Sequence, residues 1–264
     1  MDTLNLIYYS PTGTTQKIVK EIGQNLGIKL TSEYNIAKGQ TTIGPEITDN
    51  SLTIIGVPVY GGRLPMITID ALKKFHSNHS HVVIVVVYGN RAFDDSLLEL
   101  NEIVSNCGFD VIAAAAFIGE HSFSSIDKPI APGRPDKLDL FKCNNFSRMI
   151  QDKLNSVKQG NKISDIDIPG KYPYKQRSQL PVTIYPETDN AKCDNCAICV
   201  DICPSNAITI NPTILTNGAL CTWCCACVKA CPNEARIFDN PTINTIKDRL
   251  FSTCSDRKEP EYFI

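Results

Sequence analysis

The chain has 264 residues, 42% of them hydrophobic and 20% charged, which is ordinary globular composition, and it carries 12 cysteines and a formal net charge of −2. That charge argues against a general nucleic-acid binder, no apolar run reaches the length of a membrane span, and the length points to two domains. Residues 1–9 enter directly into a strand pattern without the basic start or cleavage site of a signal peptide, so a cytoplasmic location is expected. In that compartment the cysteines read as metal ligands before disulfides, and so many of them imply a reducing, anaerobic setting.

From the N-terminus, apolar runs of strand length alternate with helical patterns. Residues 4–9, 30–36, 52–57, 82–87 and 111–117 read as strands, the second being the weakest, and 14–25, 92–106 and 137–157 as helices. Strict alternation predicts an α/β fold over residues 1–158, a doubly wound parallel sheet of five strands in the order 2-1-3-4-5. Its ligand is expected at the carboxyl ends of the strands.

The first such end is Ser10-Pro11-Thr12-Gly13-Thr14-Thr15. Its hydroxyls and backbone N–H groups converge on a helix N-terminus, which carries about half a positive charge and four unpaired donors, so a phosphate is stabilised without lysine or arginine. Plain helix capping needs only one hydroxyl. Gly13 permits close backbone approach. The segment resembles the flavodoxin signature Ser-x-Thr-Gly-x-Thr for the phosphate of FMN, with Ser10, Thr12, Gly13 and Thr15 on its defining positions. Pro58-Val59-Tyr60-Gly61-Gly62-Arg63 follows the third strand and Tyr88-Gly89-Asn90-Arg91 the fourth, where flavodoxins clasp the isoalloxazine ring. The resemblance implies that Tyr60 or Tyr88 stacks on that ring with a flat apolar face, the other reading being tyrosines that simply close strand ends. Gly119, Glu120 and His121 follow the fifth strand on the same edge. His121 there either borders FMN and helps move a proton or packs the loop. His76, His79 and His81 stand at the opposite edge and read as surface histidines rather than metal ligands. No Gly-x-Gly-x-x-Gly follows any strand, which disfavours a self-contained NAD(P)H reductase.

Residues 159–181 contain Gly160, Pro169, Gly170, Pro173 and Pro181, with Lys162, Lys171, Lys175 and Arg177 against Asp165 and Asp167, and read as a linker. Residues 182–239 hold three basic and six acidic side chains, an excess of −3 that attracts either the linker or a basic partner.

Within that acidic segment, Cys-x-x-Cys-x-x-Cys-x-x-x-Cys-Pro occurs twice, the copies starting 28 residues apart at Cys193 and Cys221. Three thiolates at two-residue gaps wrap one iron-sulfur cube, and the fourth, followed by proline, ligates the other cube. Cys193, Cys196, Cys199 and Cys231 are therefore expected to hold one 4Fe-4S cluster, and Cys221, Cys224, Cys227 and Cys203 the other. Zinc modules differ in having ligand pairs parted by a dozen or more residues, often with histidine. Ala207-Ile208-Thr209-Ile210 and Ala235-Arg236-Ile237-Phe238 extend the repeat, each half reading as a short helix after the proline and then a strand. Cys225 reads as a buried non-ligand, and Trp223 as a ring that shields a cluster from water. The order overall is a flavodoxin-like sheet followed by a small α+β bacterial 2[4Fe-4S] ferredoxin domain.

Residues 240–264 carry Leu250, Phe251, Tyr262 and Phe263 and are expected to pack back on the front domain, fixing the redox centres relative to each other. The combination resembles the flavodoxin-ferredoxin fusion family of anaerobes, the EFR-type ferrodoxins, through Val57-Pro58-Val59-Tyr60-Gly61-Gly62-Arg63-Leu64-Pro65, Gly119-Glu120-His121-Ser122-Phe123 and Arg257-Lys258-Glu259-Pro260-Glu261-Tyr262-Phe263. The resemblance implies FMN, two 4Fe-4S clusters and an electron carrier that relays between them. Two other readings compete: an FMN-dependent reductase passing electrons from a ferredoxin-type donor to a small quinone or other oxidant, and a redox sensor. The partner is then a redox protein as donor or acceptor, and the chain is compatible with a homo-oligomer.

Overall fold

Side chains alternate along a strand, and four of the five front strands are apolar on both sides, so their sheet is covered twice; the second, at residues 29–35, is largely exposed. The computed structural model describes residues 1–38, 46–48, 50–159 and 165–264, which leaves Gly160 and Lys162 of the linker outside the described residues. Strands β1 (Thr3–Tyr8), β2 (Lys29–Asn35), β3 (Ser51–Pro58), β4 (His81–Tyr88) and β5 (Asp110–Ile118) pair in parallel. In β4, Val82, Ile84 and Val86 face one layer and Val83, Val85 and Val87 the other. Helices α1 (Thr14–Asn25) and α4 (Lys137–Lys158) cover the second face, and α2 (Met66–Leu72) and α3 (Ser96–Asn106) the first. The order β2-β1-β3-β4-β5 is flavodoxin-like and doubly wound, as expected. Helix α3 starts four residues later than its apolar pattern suggests, because Asp94 takes a left-handed φ of 44° and turns the chain before it.

The small region that follows is built from β6 (Glu187–Thr188), α5 (Ile198–Ile202), β7 (Ile208–Ile210), β8 (Ile214–Thr216), α6 (Ala226–Lys229) and β9 (Arg236–Ile237). Strand β6 pairs with β9 and β7 with β8, both antiparallel. The repeat extends to backbone conformation: Asn195 and Trp223 (φ 58° and 57°), Ala197 and Cys225 (62° and 59°) and Asn206 and Glu234 (53° and 50°) are left-handed pairs of equal spacing. One expectation is corrected here. The helix of each half precedes the proline, because Ala197 and Cys225 cap helices that start inside each frame, while Asn206 and Glu234 turn the chain after the proline. Ala207 N–H donates to Cys203 Sγ (3.3 Å) and Ala235 N–H to Cys231 Sγ (3.2 Å).

The described part of 159–181 has no regular structure, yet it is fastened down. Asp95 accepts from the backbone N–H of Lys171 (3.1 Å) and of Lys175 (2.7 Å). Lys175 pairs with Asp94 (2.6 Å), Arg177 with Glu99, and Arg63 lies over the Tyr174 ring at 4.4 Å. The cations Lys175 and Arg177 are thus neutralised at the start of α3, not by the acidic excess of residues 182–239, because Asp94 and Glu99 stand within direct reach.

Helix α7 (Pro241–Thr253) is capped by Asn240, whose side chain accepts from Thr242 N–H, and it packs Leu250 against Ile130. Asn90 Nδ2 donates to the carbonyls of Cys254 (2.6 Å) and Asp256 (2.8 Å). Arg257 pairs with Asp136 (2.6 Å), holding that carboxyl well below its usual range, and Arg134, paired with buried Asp139, donates to Lys258 O (2.8 Å). Strand β10 (Glu261–Phe263) then joins the edge of β5 antiparallel. Tyr262 stacks on Phe146 (centroids 5.1 Å apart, 21° between planes), and Phe263 packs on the other face. Among the described residues no helix is long and apolar enough to cross a membrane.

Candidate functional site

At the carboxyl ends of the sheet lies a cavity of about 580 Å³. Its floor is the turn between β1 and α1, where Ser10 Oγ accepts from Gln16 N–H (3.0 Å) and Thr12 and Thr14 hydroxyls meet at 3.3 Å. Gly13, at φ 81°, makes this turn and leaves α1 without a side-chain cap. The turn therefore brings several hydroxyls to a helix N-terminus at the cavity floor, a set suited to a phosphate. Thr15, Pro58, Val59, Tyr60, Gly61, Tyr88, Gly89, Arg91, Gly119, Glu120 and His121 also line it. Three predicted residues do not. Gly13 shapes the turn, Gly62 is covered by Asp94, which a Cβ would strike at 2.0 Å, and Asn90 is turned away to hold the tail.

Tyr60, Tyr88, Leu64 and Trp223 give the cavity flat apolar walls. Gly89 lets the loop press against His121, since a Cβ there would lie 2.4 Å from the imidazole Cδ2. His121 Nδ1 accepts from Phe123 N–H (3.0 Å), and burial pushes the imidazole down from 6.5 to about 4, helped by the charges of Lys229 and Arg91. The group is neutral in the fold, so the unfolded chain takes up the proton first as pH falls. Stability is complete above about 6.5 and is lost as pH drops from 6.5 toward 4. We expect anaerobic urea unfolding to show about 2 kcal/mol less acid destabilisation between pH 7.5 and 5 in His121→Gln than in the unaltered chain. Equal slopes in both would remove His121 from this role.

The second cysteine region closes the cavity from the other side. Gly218, Leu220, Cys221, Thr222 and Trp223 line it, as do Ile246, Arg249 and Leu250 of α7. Ring contacts run across the junction from His121 to Phe123 (5.2 Å), to Phe238 (5.8 Å) and to Trp223 (5.7 Å). Trp223 Nε1 donates to Ile184 O (2.7 Å), which fixes the ring as a wall of this cavity. Glu120 pairs with Lys229 at 2.7 Å; burial alone would raise its carboxyl, but Lys229 and Gly133 N–H outweigh it and hold it low.

None of the twelve cysteines forms a disulfide. One small hollow is lined by Cys203, Cys221, Cys224 and Cys227, with Cys225 also at its wall, and a second by Cys193, Cys196, Cys199 and Cys231. Each contains the fourth cysteine of the opposite frame, which the left-handed turns and the β6–β9 pairing carry across. Four thiolates around an apolar hollow are the donor set of a 4Fe-4S cube, so the residues fit that group. Cys225, 3% exposed, packs with Phe238 and Ile243. Among the described residues no three His, Cys, Asp or Glu side chains close on a point as they would around a single metal ion. His79 is at the surface, paired with Asp110 at 3.1 Å.

Sequence reasoning missed the wall formed by residues 218–223 and by α7, which only long-range packing brings to the cavity. It also passed over Arg236, whose signal was visible: it stands where the first repeat has Ile208.

Residues 186–209 match the family described as a 4Fe-4S binding domain, a span that contains Cys193, Cys196, Cys199 and Cys203. Among solved structures the chain is similar to oxidised flavodoxin 2 from Bacillus cereus, at 18% identity over 57% of this chain and 99% of that chain with a TM-score of 0.42. It is also similar to a flavodoxin from the domain Archaea (11%, 58% and 99%, TM-score 0.36). A third is a variant flavodoxin of Fusobacterium nucleatum bound to flavin mononucleotide (21%, 61% and 98%, TM-score 0.38). No curated protein matches the chain.

Proposed function

We propose that this chain is an electron-transfer iron-sulfur flavoprotein of the EFR-type fusion kind. In this reading residues 1–158 bind FMN, residues 182–239 hold two 4Fe-4S clusters in the crossed sets given above, 159–181 link them, and 240–264 strap them together. One observation carries it: Cys221 and Thr222 line both the front cavity and the hollow of the second cysteine set, so the two sites share a wall. Electron exchange between them then needs no partner protein.

FMN supplies one- and two-electron chemistry when bound, and a 4Fe-4S cluster one-electron chemistry. The chain does the rest. The 10–15 turn binds a phosphate through hydroxyls and N–H groups, Tyr60 and Tyr88 offer flat faces, and residues 218–223 exclude water from the shared wall. His121 stays neutral at pH 7 and adds no charge beside the ring. The expected partner is a redox protein in an anaerobic cytoplasm.

The test is an assay of iron, sulfide and FMN, followed by an anaerobic redox titration that reads flavin absorbance and cluster EPR together. We expect about eight irons and one FMN per chain with overlapping potentials. Missing FMN, or a flavin separated from both clusters by several steps of about 59 mV, each a tenfold loss in equilibrium, would overturn the relay. Rapid turnover of a small quinone at the flavin would move the reading to a reductase.

A further inference from the structure

Arg236 is 3% exposed and opens β9, and it lines both cysteine hollows. Its hydrogen-bond partners are neutral. One terminal nitrogen donates to Thr188 Oγ1 (2.5 Å), and the other to Pro186 O (2.7 Å) and Thr216 Oγ1 (2.9 Å). Cys227 Sγ lies 3.8 Å from that second nitrogen, and Nε is buried without a partner. Among the described residues no carboxylate pairs with this guanidinium. The first repeat has Ile208 at the equivalent place, 4% exposed, so the second half has a cation where the first has a hydrocarbon.

A guanidinium does not shed its charge, and burying one without a counter-ion is costly. The anions at hand are the two cysteine sets. A cube with four thiolates is formally a dianion when oxidised and a trianion when reduced, so a fixed cation beside it favours the reduced form.

We propose that Arg236 is a counter-charge shared by the two clusters, which raises the reduction potential of both. This rests on the two-cluster reading above. Thr188, Thr216 and Pro186 position the guanidinium and leave Nε free for a cluster sulfur.

The experiment is EPR-monitored potentiometry of the cluster-loaded full chain, with iron and sulfide assayed for each variant. Arg236→Met is expected to shift the reduction of both clusters at least tenfold toward the oxidised form, about 59 mV for one electron, and Arg236→Lys to restore most of it. Full iron in Arg236→Met with unmoved potentials, or with only one cluster moved, overturns the proposal. Should Arg236→Met lose iron, Arg236→Lys decides: retained iron with potentials near the original supports the charge role. Lost iron or lowered potentials in Arg236→Lys overturns it, because shape rather than charge then matters. One cluster or none in the unaltered chain overturns the underlying reading and the proposal with it, whereas two clusters there with unmoved variants overturn only the role of Arg236.

Discussion

Replacing Cys231 with alanine is expected to strip iron from the hollow of the first frame, although Cys231 belongs in sequence to the second. That residue lines the hollow of Cys193, Cys196 and Cys199, away from the cavity that Cys221 and Thr222 close. Iron should fall from about eight per chain toward about four, and the remaining cluster should still take electrons from the flavin at its former rate. Cys203→Ala is the counterpart. It removes a ligand beside the shared wall, so flavin-coupled reduction should slow more than tenfold while the distant cluster keeps its EPR signal. The pair of variants reads the wiring directly. If Cys231→Ala instead silenced exchange with the flavin and Cys203→Ala spared it, each frame would bind its own cube and the crossed assignment would fail.

Removing residues 240–264 should have the largest effect on stability. Strand β10 covers the β5 edge, Tyr262 stacks on Phe146, and α7 supplies Ile246, Arg249 and Leu250 to the cavity wall. Deleting a packed aromatic side chain such as Tyr262 alone costs about 2–4 kcal/mol. Asn90→Ala should cost about 1–3 kcal/mol, since it leaves the carbonyls of Cys254 and Asp256 without their donor. The truncation removes both contacts and more, so its unfolding midpoint in urea should fall below that of either single variant, and FMN should leave more readily. A truncated chain with an unchanged midpoint and unchanged flavin-to-cluster transfer would make the strap dispensable.

The parts of this fold that were legible in the sequence are those written in short periods. Strands β1, β3, β4 and β5 show as apolar runs buried on both faces, while β2, polar and exposed, is the weakest signal, and the bounds of α1 follow from Gly13 and the hydroxyl-rich turn that stop the strand and start the helix. The parts that were not legible depend on distant partners. Strand β10 is three residues long and becomes a strand only because β5 offers an open edge. Asn90 sits in the loop after β4, beside the cavity as its position suggests, yet its side chain serves the tail. The repeat suggests a short helix after each proline, whereas left-handed Ala197 and Cys225 start the helices earlier, inside each frame. Lys175 and Arg177 looked like cations of a free linker, and their partners Asp94 and Glu99 lie about 80 residues earlier in the chain.

Because β10 is translated only after every cysteine in this sequence, the front sheet is completed by a strand made later than the cysteine region. Until then β5 presents a row of unpaired backbone donors and acceptors, a template for pairing with a neighbouring chain. The front sheet is therefore sealed only after the whole cysteine region has been made.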